Sequence, residues 1–139
     1  MMDILVEVGQ INFNPFSALI DSNNIIYYHD RFTDSIKKKD LKYIPLEKPV
    51  NYYNSEAELP VGMEIKNWMY DEENDCIYAI SYTSGKLLTI DPKNLTIKNE
   101  RYVGEKPLDM DIYNNTIYIT LKGESKIDII EDMHRCYTA

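Results

Sequence analysis

Asn74-Asp75-Cys76-Ile77-Tyr78-Ala79-Ile80-Ser81-Tyr82-Thr83-Ser84-Gly85-Lys86-Leu87-Leu88-Thr89-Ile90-Asp91 is the stretch that decides the fold. A polar pair leads into an apolar run. A Thr-Ser-Gly turn follows, and a second run closes on an acid. Short runs rich in Ile, Tyr and Thr, broken by Asn, Asp, Ser and Gly, read as antiparallel strands joined by tight turns. The pattern has two further copies, Asn23-Asn24-Ile25-Ile26-Tyr27 and Asn114-Asn115-Thr116-Ile117-Tyr118. Tyr27, Tyr78 and Tyr118 are each followed thirteen residues later by an acid: Asp40, Asp91 and Glu131. Self-similarity of this kind marks a repeat architecture, in which no unit buries its apolar face alone.

Working outward from the central copy, Lys66 to Tyr70 reads as a preceding strand and Thr96 to Val103 as a following one. The third copy supplies strands at 108–112, 116–121 and 126–130, with no alternating fourth strand after Glu131. The first supplies strands at 16–20, 25–29 and 35–40. Tyr27 and Tyr78 are fifty-one residues apart, against forty for Tyr78 and Tyr118. The excess falls in 41–62, which holds Pro45, Pro49 and Pro60 and reads as a surface loop. Its best helical candidate, Asn54 to Leu59, is a turn or two at most. Ile4 to Val8 reads as a separate N-terminal strand.

Four short antiparallel strands in about forty residues are the signature of a β-propeller blade. The expected fold is all-β and incomplete, with about three blades unless dimerisation or a longer chain completes it. Blade one spans about 15–53, blade two 66–103 and blade three 107–131. Strand 4–8 is a candidate to complete a terminal blade. An open blade edge leaves unpaired backbone donors and acceptors, so a homodimer joined through open edges is one expected outcome.

The residues also resemble a named family. Cys76-Ile77-Tyr78-Ala79-Ile80, Gly85-Lys86-Leu87-Leu88-Thr89-Ile90-Asp91-Pro92 and Tyr102-Val103-Gly104-Glu105-Lys106-Pro107 are similar to the strands and blade link of the YVTN-type β-propeller repeat. Blade three offers Ile117-Tyr118-Ile119-Thr120 and blade one a looser Ile26-Tyr27-Tyr28-His29. The Asn that ends the family's signature strand is absent from all three copies. The resemblance implies a fold and a rigid frame for variable loops.

Charge and composition narrow the partners. The net charge is -8 and the pI about 4.7, which argues against nucleic acid and against an anionic membrane surface. The one basic run, Lys37-Lys38-Lys39, reads as lying on a solvated strand. Cys76 and Cys136 form no paired motif and read as a buried strand thiol and a tail thiol. The N-terminus lacks a basic region ahead of its apolar residues, and no apolar run is long enough to span a bilayer, so a cytoplasmic protein is expected.

No nucleophile elbow, phosphate loop or metal-binding helix motif occurs. Catalytic residues, metals and cofactors are all expected to be none. The repeated tyrosines read as core residues stacked between blades, and His29-Asp30-Arg31 as a surface hydrogen-bonded trio. Asp109 and Asp111 share one strand face and read as a polar stripe. The expected ligand-binding residues are Arg31, Glu64, Lys66, Trp68, Glu105, Lys106 and Asp109. They gather where blade links and second turns should emerge together, and their mixed charge suits a protein or a small polar ligand. Trp68 reads first as packed core, with ligand stacking as the alternative. The expected function is a non-catalytic binding scaffold, against which stands an enzyme of the propeller lactonase or hydrolase kind.

Overall fold

The computed structural model describes residues 11–12, 15–30, 34–41, 50–51, 57–61 and 65–131. Arg31, Glu64 and strand 4–8 lie outside them. Ile11–Asn12 (β1) precedes a sheet containing Pro15–Ile20 (β2), Ile25–Asp30 (β3) and Ser35–Asp40 (β4). Val50–Asn51 (β5) pairs in parallel with β1, and Ala57–Pro60 (β6) adds antiparallel to β4 as the fourth strand of the first sheet. Ile65–Asp71 (β7), Cys76–Ser81 (β8), Lys86–Asp91 (β9) and Thr96–Tyr102 (β10) form the second sheet. Pro107–Tyr113 (β11), Thr116–Leu121 (β12) and Lys126–Ile130 (β13) form a third, three-stranded one. Strands β2, β7 and β11 are neighbours, so the sheets stand side by side with their first strands innermost. This is an all-β partial propeller.

The segment 57–60 departs from the loop, or short helix, expected there. Glu56, Ala57, Glu58 and Leu59 are good helix formers, but β4 offers an unpaired edge, and pairing there outweighs local propensity. Pro60 is tolerated because it ends an outer strand and needs no N–H in a ladder.

Local chemistry explains the turns. Asp21 accepts the backbone N–H groups of Asn23 and Ile25, and Asp91 that of Lys93, at 2.8, 3.0 and 2.9 Å. Such side-chain-to-backbone bonds mimic a turn and select Asp at these corners. Asn114 and Asn115 both have positive φ, 53° and 61°, the paired left-handed conformation of a tight two-residue hairpin. Each sheet also carries the same irregularity. The ladder between first and second strands slips at Pro15/Ser17, Ile65/Asn67 and Pro107/Asp109. A bulge there bends the innermost strand and re-aims its side chains.

Alternation assigns the faces. Leu19, Tyr27 and Ile36 of the first sheet face the second, whose Trp68, Ile77 and Ala79 answer them. Met69, Tyr78 and Leu87 face the third sheet, whose Met110, Ile117 and Ile119 complete the core. Tyr27 and Tyr78 are 2% and 1% exposed, as core residues should be. Tyr118 is 39% exposed, contrary to the core position expected, because no described strand covers that side of the third sheet.

Other expectations also change. Lys37 is buried rather than solvated. Its amine sits 3.1 Å from Asp30 Oδ2, and that carboxylate is fully buried. His29 is buried too, with Nε2 3.0 Å from Asp34 Oδ1, so His29 and Asp30 are interior rather than surface groups. Cys76 is buried and disulfide-bonded rather than a free thiol, and Cys136 lies outside the described residues.

Tyrosine hydroxyls at the outer turns set an alkaline limit. Burial, then the hydrogen bond from its hydroxyl to Asp75 at 2.7 Å, pushes the Tyr70 phenol from 10.0 up to about 12. Burial and its bond to Asp21 push Tyr27 in the same direction. Raised phenol values mean the folded state holds its protons longer than the unfolded chain. The stabilisation is whole below pH 10.0 and lost as pH rises through about 12. Unfolding followed by circular dichroism should therefore coincide with tyrosinate absorbance in that window. Titration of both residues at ordinary pH in the folded protein would count against this.

Candidate binding surface at the blade links

One end of the arc gathers the turns that leave β8 and β12 and the link from β10 to β11. Gly85 makes the first turn, with φ 71°, and its amide donates to the Ser81 carbonyl. The Gly85 carbonyl then accepts the Val103 N–H at 2.8 Å, joining turn and link. A Cβ on Gly85 would run into the Gly104 carbonyl, so the close approach requires glycine. The third sheet seizes the same link from its other side. Lys122 and Gly123 donate to the carbonyls of Lys106 and Glu105 at 3.0 and 3.1 Å. The first sheet repeats the arrangement, Val61 donating to the Asp34 carbonyl at 3.2 Å.

Glu124 is the electrostatic clamp. Its Oε2 accepts the Glu105 backbone N–H at 2.7 Å, and its Oε1 lies 3.1 Å from Lys126 Nζ. The backbone bond first, and Lys126 second, hold this carboxyl below 4.5. A carboxyl with a depressed value favours the folded arrangement above its ordinary range and loses that contribution as pH falls through its folded value. Glu124→Ala is expected to speed hydrogen exchange at the Glu105 amide severalfold, because that N–H then loses its carboxylate acceptor. Unchanged exchange would refute the clamp.

Between turn and link lies a cleft of about 320 Å³, lined by Tyr82, Thr83, Ser84, Tyr102, Glu105 and Lys106, with the backbone of Gly85 and Gly104 beneath. The sequence-expected residues divide around it. Glu105 and Lys106 line the cleft and are exposed. Lys66, the extra residue in the second sheet's bulge, holds its amine 5.5 Å from the centre of the Tyr82 ring, a cation–π contact at the rim.

Trp68 and Asp109 sit elsewhere. Trp68 is 4% exposed, and its indole N–H donates to Ser17 Oγ at 2.7 Å. It is core, tying the second sheet to the first, and offers no stacking surface. Asp109 is exposed on the innermost strand, where it accepts from Asn67 Nδ2 at 2.6 Å. Ser17, Asn67 and Asp109 hold equivalent places just past the three bulges. They form a polar row along the axis that links neighbouring sheets.

Sequence reasoning missed Tyr82 and Tyr102 as cleft residues, while Ser84 lies in the Thr83–Gly85 turn expected on this face. Tyr82 follows the buried Ser81 and Tyr102 ends an edge strand, so both read as ordinary strand aromatics. The detectable signal was Tyr102's place directly before the Val-Gly link. Among the described residues, no cluster of three or more His, Cys, Asp or Glu side chains is arranged to hold a metal ion.

No family model matches this chain and no curated protein sequence matches it. Solved structures do. Hydrazine synthase from Kuenenia stuttgartiensis superposes with a TM-score of 0.68 at 16% identity, covering 91% of this chain and 35% of that one. Apo AztD from Citrobacter koseri gives 0.64 at 17%, covering 81% and 30%. The WD40 domain of Pan2 from Neurospora crassa gives 0.54 at 15%, covering 81% and 33%. The chain thus spans about a third of the length of each. At these identities the likeness establishes the propeller fold alone.

Proposed function

We propose that this chain is a non-catalytic binding module whose ligand, a small polar molecule or a polar peptide segment, is taken in the cleft between the Thr83–Gly85 turn and the Val103–Lys106 link. The observation that carries it is the rigid seating of that link, held by backbone bonds from both sides while Glu105, Lys106, Tyr82 and Tyr102 remain open to solvent at its surface. A preformed frame with exposed aromatic and mixed-charge groups loses little freedom on binding. The repeat strings favour the YVTN type among propellers.

The test is a screen of polar fragments and short peptides by amide chemical shifts. Shifts should cluster at 82–85 and 102–106, and Lys106→Glu should abolish them. Binders that consistently perturb other surfaces would overturn the proposal. So would lactone hydrolysis that disappears in Asp109→Ala.

A disulfide at Cys76 suits an oxidising compartment rather than the cytoplasm expected from the sequence. Thiol trapping in denaturant, directly from the native cell, decides this: Cys76 protected from alkylation until reductant is added supports the oxidising compartment, and labelling without reductant supports the cytoplasm.

A further inference from the structure

Cys76 is disulfide-bonded and fully buried, and the chain holds two cysteines, Cys76 and Cys136. Within one copy, Cys136 is the one thiol that can be its partner. Cys76 opens β8 opposite Asp71. Alternation puts its side chain on the face that carries Tyr78 and Ile80, which is the face turned to the third sheet.

The end of β13 comes close to the same place. Asn74, two residues before Cys76, is 1% exposed. Its side-chain amide donates to Asn115 Oδ1 at 2.9 Å and so joins the turn before β8 to the turn before β12. Ile117, just inside β12, pairs with Ile130 at the end of β13. Both isoleucines are buried in the core shared with the second sheet. The chain therefore leaves β13 at the outer-turn end, where Cys76 sits. One strand spacing of ~4.8 Å and one sheet spacing of ~10 Å separate the two places. Cys136 lies five residues beyond Glu131, and a stretch of that length reaches ~17 Å. The bond closes without moving any described strand.

We propose that Cys76 and Cys136 of one copy form this disulfide, and that the bond locks the third sheet onto the second. The third sheet ends the arc. Among the described residues it has three strands, where the first and second sheets have four, and Ile127 and Ile129 on its outer face are 60% and 58% exposed. It thus has the least packing to hold it. The Val103–Lys106 link fastens it at one end, through the bonds to Gly85, Lys122 and Gly123. The disulfide fastens it at the other. Full burial keeps external thiols from Cys76 while that end is closed, which marks a structural bond rather than a labile one. Forming it takes two electrons and two thiol protons from the pair, and a disulfide oxidant accepts them by exchange and becomes two thiols. The lock is remote from the ligand cleft, so its failure leaves that proposal intact.

The test starts from the full chain oxidised with glutathione disulfide and then kept free of reductant. Non-reducing trypsin digestion and mass spectrometry should find residues 67–86 joined to 136–139, and a denaturing gel without reductant should show a monomer. Cys136→Ser and reduction by dithiothreitol should each lower the melting temperature by about 10 °C, the scale expected when a cross-linked loop of this length is opened. Dithiothreitol should then change nothing further in Cys136→Ser. Amide exchange should speed more in β12 and β13 than in β3 and β4. A disulfide-linked dimer, free or glutathione-capped thiols, a melting temperature unmoved by reduction, or an exchange gain no larger in the third sheet than in the first would each overturn the proposal.

Discussion

Replacing Lys37 with alanine is expected to destabilise the fold by about 3–5 kcal/mol, the cost of stranding a buried charge. The pair it breaks is almost wholly inside, with side chains 5% and 0% exposed and Lys37 Nζ 3.1 Å from Asp30 Oδ2. Each group gives up hydration on burial, and the opposite charge beside it offsets part of that cost. The loss is a large part of the ~5–15 kcal/mol that holds an ordinary domain together. Urea unfolding of Lys37→Ala should show a lowered midpoint. The double variant Asp30→Leu, Lys37→Met should recover most of it, since apolar groups of similar volume need no partner. A Lys37→Ala protein as stable as the parent would show that the amine escapes to water.

Ile119→Ala should cost about 2–5 kcal/mol, while Ile129→Ala should cost under ~1 kcal/mol. The two isoleucines lie on adjacent strands of one sheet, but alternation turns Ile119 inward and Ile129 outward. Ile119 is fully buried, and its truncation leaves a cavity that the flanking sheets fill only in part. Equal costs at the two positions would mean that the faces of the third sheet are wrongly assigned.

The strands were legible because period-two alternation and Asn/Asp turns are local signals, strongest in the second copy. The link end was legible through the resemblance, in which Val103-Gly104 ahead of Glu105 and Lys106 is similar to a connection between blades. What was not legible depends on neighbours. Tyr118 carries the same local string as Tyr78, and no local string reveals that no described strand covers it. Lys37 sits in a run of three lysines that reads as solvated, and only the β3–β4 pairing brings it to Asp30. Trp68 read correctly as core, but its bond to Ser17 joins residues fifty-one apart and leaves no mark in either stretch. The 57–60 strand was hidden because its residues favour helix and only the free edge of β4 recruits them.

The connections between strands differ in length in a way that bears on how the chain comes together in time. The second sheet closes each of its three hairpins across four turn residues. The first sheet joins its last strand only after the long excursion from 41 to 56. Bringing distant ends together costs entropy that grows with the logarithm of the loop, and local contacts form fastest. The second sheet is therefore expected to act as the folding nucleus on which its neighbours condense, with β6 the last strand to lock. Pulsed hydrogen exchange should protect β8 and β9 before β6, and simultaneous protection of all three would refute that order.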